Sequence, residues 1–525
     1  MSQLRSISRL TIINIGNALL GMATTVAMAW LFGTSERMEN YFAASLLLTV
    51  VQKLFLVGQF LEVFLPEYVQ RREVDGTVKA DRCFSALYNH LIMMVVGTAL
   101  LAFVVMPWCG NLIAPGYSAE RQVQVVHMAQ VLLAVMCLVV ANGHLQIIGN
   151  ARGWYGRFEF YGLLGSLFGL IGLVVTGKVL GIWAMLVSQG ITQVVLLIGS
   201  WSYLYRQGYR HAWVWTEPGF SVWKVVGRVG ISSIYVIATQ FYVMSFISSL
   251  TLLPAGTLAV YRYAENLYLR VSGLFMRPIG VVFFTDAATL AHRNPMQLRI
   301  RIQEALYQYG LMYFGVLVIL FPALPNLLGA LWGSPKYHLD DMQQTTFFVW
   351  CFFSLLIVEG AGGLYRRLNI IFGDLRVIYL AMTVVQFALG VAAPFIVRSG
   401  TVWGAASVLI LNVIMLAGAG VVIVLWRRPQ FLMFFPLRTW KLVAAAIPSL
   451  IFAWAATHWW PWLKYAGDYS MRGKILEVIK ACLVGSIGLT LALMSAWIFR
   501  VEELSQGWQR LRAGMTKARA LLRVS

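Results

Sequence analysis

Fourteen apolar runs of about twenty residues dominate this sequence, at 10–32, 41–64, 84–106, 123–148, 160–177, 181–204, 225–253, 256–285, 306–330, 344–365, 377–397, 402–426, 441–460 and 478–499. A helix of about twenty residues crosses the ~30 Å hydrocarbon layer of a bilayer. In hydrocarbon every backbone N–H and C=O needs an internal partner, and a helix supplies those partners within one segment. The runs therefore predict an all-α polytopic membrane protein of about fourteen transmembrane helices. Only 12% of the 525 residues are charged and 59% are hydrophobic, too little charge for a soluble domain of this length. The connecting stretches reach about twenty residues at most, so no soluble domain is inserted. The first run is too long, and lacks the small-residue site, for a cleavable signal peptide.

Five cysteines, Cys83, Cys109, Cys137, Cys351 and Cys482, stand apart from one another and from histidines. No disulfide framework, metal site or cofactor is expected from them.

A formal charge of +20 raises the question of nucleic acid, but membrane proteins concentrate Lys and Arg in cytoplasmic loops. With fourteen spans and an inner N-terminus, twenty-eight of the 41 cations fall in inner segments and nine in outer ones. This bias predicts both termini inside and removes the case for nucleic acid. The outer stretch between the last two runs is the exception, with Lys464, Arg472, Lys474 and Lys480. Beyond the last run, Trp508, Leu511, Met515, Ala518 and Leu522 recur at helical spacing among basic residues, the pattern of an amphipathic helix lying on the inner membrane surface.

Four cations remain inside the runs. Lys53 lies in the second, and Arg262, Arg270 and Arg277 lie in the eighth. At about 100° per residue, Arg262, Asn266, Arg270, Gly273 and Arg277 share an arc of about 80° on one helix face, with Glu265 at its edge. Each arginine set in mid-membrane lipid would cost about 2.5–3.5 kcal/mol even on insertion scales. That face must line a watery cavity, meet an anion, or pair internally, as Arg262 can with Glu265 one turn away. The intramembrane acids Glu62, Glu265 and Glu359 are too few to neutralise the whole face. They are candidates for charge compensation or for coupling to protons or sodium. A surplus of guanidinium suits a phosphate-bearing ligand, which Arg grips with two parallel hydrogen bonds. Lys53 and its neighbour Gln52 would add to the same chamber.

Laying 41–64 on 261–284 without a gap yields seven identities, among them Tyr41/Tyr261, Phe55/Phe275 and Phe64/Phe284. The offset is six spans, the signature of two parallel six-helix repeats. The expected organisation is an N-terminal lobe at 1–215, a C-terminal lobe at 216–430, an extra helix pair at 431–500 and the basic tail at 501–525.

Three segments resemble a known family. Residues 31–70, LFGTSERMENYFAASLLLTVVQKLFLVGQFLEVFLPEYVQ, are similar to the first hairpin of the MviN/MurJ family of lipid II flippases. Residues 113–117, IAPGY, resemble that family's first outer turn, and 261–284, YRYAENLYLRVSGLFMRPIGVVFF, its eighth span. The family belongs to a larger group that also holds Wzx polysaccharide flippases and MATE exporters. The resemblance implies fourteen spans in two lobes with an extra C-terminal pair, movement by alternating access, and no catalysis. It also implies residence in the bacterial inner membrane.

Glu39 and Glu265 keep the family's acids in the first outer loop and in the eighth span. The family's cavity-facing arginines of the first span are replaced by Ala18 and Thr24, its second-span basic pair by Gln52-Lys53, and the arginine after the eighth-span acid by Asn266. Charge is thus moved largely onto one helix. This favours a cargo other than lipid II. The expectation is a flippase for a polyprenyl-pyrophosphate-linked oligosaccharide serving surface or secreted polysaccharide, with Arg262, Asn266, Arg270, Arg277, Lys53 and Gln52 at the substrate. Glu39, Glu62, Glu265 and Glu359 would couple or compensate. Its partners would be this anionic lipid-linked saccharide, membrane lipids and a polysaccharide polymerase or its synthesis machinery; the membrane potential could help drive the cycle.

Rival readings are a lipid II flippase and a MATE-like small-molecule exporter, the latter disfavoured by three arginines. A membrane enzyme would have to use His338, Asp340 and Asp341 on a loop of about fourteen residues, a set that also reads as a solvated turn.

Overall fold

The computed structural model describes residues 2–55, 57–152, 154, 156–398, 400–459, 468–499 and 501. Helices account for nearly all of them, and no strand is present among the described residues beyond the isolated bridges Glu217–Phe220 and Ser334–Tyr337. In chain order the first helices are α1 (Ser2–Phe32), α2 (Glu36–Leu54), α3 (Val57–Val74), α4 (Thr77–Val105), the short α5 (Gly110–Ile113), α6 (Ala119–Ala151), α7 (Arg157–Leu180), α8 (Trp183–Arg206) and α9 (Val222–Leu250). They are followed by α10 (Thr257–Arg293), α11 (Pro295–Gly315), α12 (Phe321–Trp332), α13 (Leu339–Ser354) and α14 (Leu356–Ile371). The last four are α15 (Leu375–Val397), α16 (Val402–Arg427), α17 (Leu437–Trp459) and α18 (Met471–Ile498).

Twelve helices among the described residues are long and apolar enough to cross a membrane. They coincide with twelve of the fourteen expected spans. The two expected spans without such a helix are 41–64 and 256–285, those that carry Lys53 and the three arginines. Both are helical, and the first is broken at Phe55 between α2 and α3. The amphipathic helix expected at the C-terminal tail lies outside the described residues. Lys480, counted with the outer loop, belongs instead to α18, where it is buried with Glu477 at 2.7 Å. The helix starts at Met471 behind the N-cap Ser470, whose hydroxyl accepts from Gly473 N–H at 3.0 Å, and so reaches seven residues ahead of the apolar run.

The chain divides into two compact units, Met1–Arg270 with Tyr379–Asn412, and Val271–Ile378 with Val413–Ser525. Within the first unit, α7 and α8 pack closely because Gly165 and Gly169 leave no Cβ between the backbones. Ser188 Oγ donates to Gly169 O at 2.7 Å across that seam. Small residues are what allow such approach where lipid supplies no hydrophobic drive between helices. At one end of this unit Phe64, Tyr68, Phe84, Tyr88 and Tyr209 form an aromatic core. Beside it, Arg152 pairs with Asp81, and Tyr68 OH donates to the same carboxylate at 2.7 Å.

The second unit shows how a proline is accommodated in a spanning segment. Pro322 lacks the N–H that would bond Val318 O, and a π turn at Val316–Leu320 precedes it. The orphaned Val318 carbonyl accepts instead from the buried Ser449 hydroxyl of α17 at 3.4 Å, the kind of side-chain substitute that membrane helices use at prolines. Elsewhere in this unit Asp374, between α14 and α15, is gripped by both Arg427 and Arg428 at the end of α16.

Candidate functional site

The first unit contains a cavity of about 650 Å³. Beside apolar residues such as Met28, Phe42, Leu48, Val135, Val139, Leu170 and Met185, its wall carries polar residues turned inward: Asn17 and Thr24 from α1, Ser45, Thr49 and Gln52 from α2, Ser188, Gln189, Thr192 and Gln193 from α8, and Arg262, Glu265, Asn266 and Arg270 from α10, with Gly21 of α1 facing Arg270. Helical spacing explains the four from α10, which recur at three- and four-residue steps on one face. The four residues of the eighth span that lie in this unit and were expected at the site do line one cavity.

Their roles differ. Arg262 Nη1 lies 2.6 Å from Glu265 Oε2, so this pair is internally neutralised. Arg270 forms no ion pair among the described residues, and its buried Nε has no hydrogen-bond partner. Its guanidinium lies over Gly21 of α1, in the volume a Cβ at that position would occupy. Gly21 is a site residue with no motif of its own; only the facing arginine discloses its role. Among the described residues the cavity therefore presents one uncompensated guanidinium, on the α1 side.

The other described residues of the wall are uncharged. Thr24, Thr49 and Thr192 donate to carbonyls of their own helices, to Leu20 O, Ser45 O and Ser188 O, at 2.9, 3.0 and 2.9 Å. A hydroxyl bonded back in this way turns its lone pairs outward as acceptors. The amides are oriented by buried partners. Asn142 Nδ2 donates to Gln193 Oε1 at 2.9 Å and to Gln193 O at 3.0 Å, and Gln189 Nε2 donates to Tyr41 OH. The arrangement can hold an anionic group at Arg270 and hydroxylated or amide-bearing groups along α2 and α8. Among the described residues, no cluster of three or more His, Cys, Asp or Glu is placed to hold a metal ion.

The remaining expected residues lie elsewhere. Gln52 lines the cavity, but its neighbour Lys53 is exposed and does not. Glu359 is exposed in the first turn of α14, in the second unit. The side chains of Glu62 and Arg277 lie outside the described residues. Glu39, in the first turn of α2, is buried and fully engaged: Oε1 accepts from Gly256 N–H at 2.8 Å and Leu258 N–H at 3.3 Å, and Oε2 pairs with Arg121 at 3.2 Å. It caps the N-terminus of α10, where free N–H groups and the helix dipole attract a carboxylate. Arg121 in turn stacks on Tyr117, 3.7 Å from the ring centre, and donates to Asn40 Oδ1 at 3.2 Å. Asp341 Oδ2 accepts from the His338 backbone N–H at 2.9 Å and so caps α13, a structural role for one of the three residues an enzyme would have needed.

Residues 28–471 match the family profile described as the lipid II flippase MurJ. Among solved structures, a lipid II flippase MurJ in an inward closed conformation aligns with a TM-score of 0.72 at 15% identity, covering 92% of this chain and 98% of that one. An inward-facing MATE family multidrug resistance transporter of the MOP superfamily aligns at 0.63 with 16% identity, over 80% and 98% of the two chains. A MOP superfamily transporter from Pyrococcus furiosus, described as having a binding pocket of reverse polarity, aligns at 0.54 with 16% identity, over 81% and 95%. At these identities the structural likeness is one of fold.

Proposed function

The chain belongs to the MurJ lipid II flippase family, and from that premise we propose that it flips a polyprenyl-pyrophosphate-linked oligosaccharide across the bacterial inner membrane by alternating access. The observation that supports an anionic cargo is Arg270, uncompensated among the described residues and seated over Gly21 in a cavity that also presents amides and hydroxyls. A pyrophosphate would meet the guanidinium through charge-assisted hydrogen bonds. The sugars would lie along Ser45, Thr49, Gln52, Gln189 and Gln193. In this reading Asn266 supports the same site, Arg277 extends its positive charge, and the acids Glu39, Glu62, Glu265 and Glu359 balance charge or couple to an ion. The two lobes, 1–215 and 216–430, would rock about the cargo with both termini cytoplasmic, and the pair at 431–500 would guide the lipid tail. Cargo would pass onward to a polysaccharide polymerase.

Lipid II itself is the second reading, favoured by the profile match over 28–471. Depleting the protein in its native cell and weighing the polyprenyl-linked intermediates that accumulate separates the two. Accumulation of a non-murein lipid-linked oligosaccharide is the expected result. Accumulation of lipid II would transfer the protein to cell-wall synthesis, and no accumulation of either would overturn the flippase assignment.

A further inference from the structure

Between α8 and α9 the chain runs as an extended strap, residues 207–221, that folds back along α4. Asn89 holds it there. Its side-chain amide donates to Ala212 O at 3.2 Å and to Val214 O at 2.9 Å, and its Oδ1 meets His211 Nε2 at 2.9 Å. Ser85 Oγ accepts from Ala212 N–H at 3.2 Å and shares a 2.9 Å hydrogen bond with Tyr209 OH. Asn89 lies twelve residues beyond Thr77, about 18 Å along the helix at 1.5 Å per residue, inside the apolar run expected at 84–106. The strap is thus pinned beside the start of a membrane-spanning segment.

Its side chains divide sharply. Tyr209 is buried, with His211 packed edge-on against Tyr88 and Trp201. Trp213 is 83% exposed, Trp215 46%, and Trp223 in the first turn of α9 66%. His90 gathers the last two, with ring centres at 5.2 and 6.4 Å. The same stretch of chain, 206–224, carries the exposed cations Arg206, Arg210 and Lys224, with Arg210 stacked on Tyr205 at 3.7 Å and Lys224 lining a pocket with Glu67. The one acid of the strap, Glu217, pairs with Arg82 at 2.9 Å. Three exposed indoles are poorly placed in bulk water but well placed at a membrane–water boundary, where an apolar ring and a polar N–H each find their medium. The flanking positive charge selects among lipids.

We infer that the 207–224 strap is a binding platform for anionic glycerophospholipid, with Trp213, Trp215 and Trp223 seated at the interface and Arg206, Arg210 and Lys224 on the lipid phosphates. The inference is independent of the cavity and of its cargo.

The test is thermal unfolding of the full chain in nanodiscs of phosphatidylcholine with or without phosphatidylglycerol. The midpoint of the wild type is expected to rise by several degrees with phosphatidylglycerol. Arg206→Gln/Lys224→Gln and Trp213→Ala should each lose most of that rise while matching the wild type in phosphatidylcholine alone. Lys224→Gln, at an exposed position, keeps the test open if a double variant does not fold. Equal wild-type midpoints in the two lipids, or variants that keep the full rise, would overturn the platform. So would an equal rise from soluble glycerol 3-phosphate, which would point to a free phosphate ligand, or a rise that appears only with a co-purified protein.

Discussion

Arg262 Nη1 sits 2.6 Å from Glu265 Oε2, one helical turn apart on the cavity wall. Two of the charges that make the eighth span unusual therefore cancel, and the anion-binding power of the cavity depends on what is left. Glu265→Gln should release the Arg262 guanidinium, lower thermal stability by about 1–3 kcal/mol through the lost charged hydrogen bond, and tighten binding of a pyrophosphate headgroup. Titration of a soluble pyrophosphate-sugar analogue against the purified variant checks the direction; weaker binding would contradict it.

Arg270 is the complementary case. Arg270→Ala should weaken headgroup binding about ten- to a hundredfold, since a charged hydrogen bond contributes about 1.5–3 kcal/mol and each 1.4 kcal/mol is tenfold. Gly21→Ala should do part of the same damage without touching the charge, because the new Cβ displaces the guanidinium. Complementation of a depleted strain by each variant reads the effect in cells. Full activity of Gly21→Ala would show that the seat is irrelevant.

Glu39 joins α2 to the N-terminus of α10 and to Arg121. Removing a buried charged cap leaves both the N–H groups and the guanidinium unsatisfied. Glu39→Ala is expected to destabilise by about 3 kcal/mol or more, from about 0.5–2 for the cap and the remainder for the stranded Arg121. Glu39→Gln, which still accepts from Gly256 N–H, should lose less. Unfolding midpoints of the two variants in the same detergent provide the comparison.

Asp374 carries a pH dependence. Burial pushes its carboxyl up, but the hydrogen bonds and charges of Arg428 and Arg427 outweigh that and hold it below the usual carboxylate range. A depressed carboxyl contributes stability that is present above its unfolded value and lost as pH falls through its folded one. The wild type should therefore lose this contribution only under acid conditions below about pH 4. Asp374→Asn should be less stable at neutral pH and show a flatter acid limb in midpoint-against-pH curves.

His338, Asp340 and Asp341 should not be required for activity. Asp340→Ala with Asp341→Ala is expected to leave complementation intact while lowering stability by about 1 kcal/mol through the lost α13 cap. Loss of function in a well-folded double variant would reopen the enzyme reading.

Two features were legible in the sequence because both are local. Length and apolarity of a segment predict a spanning helix without reference to any other segment, and twelve of the expected fourteen are met in that form. Helical periodicity alone placed Arg262, Glu265, Asn266 and Arg270 on one face. What lies opposite a residue is not local, and there the tertiary structure decided. Gly21 matters because Arg270 crosses it, 249 positions away along the chain. Glu39 is a helix cap through Gly256, 217 positions distant. Ser449 is needed because Pro322 leaves Val318 O without its N–H. Lys53 and Gln52 are neighbours in sequence, yet only Gln52 lines the cavity, because successive residues of a helix point about 100° apart and packing chooses which direction is inward. Charge on a helix face announces that a partner or a cavity must exist; only the fold says which of those charges are already spent.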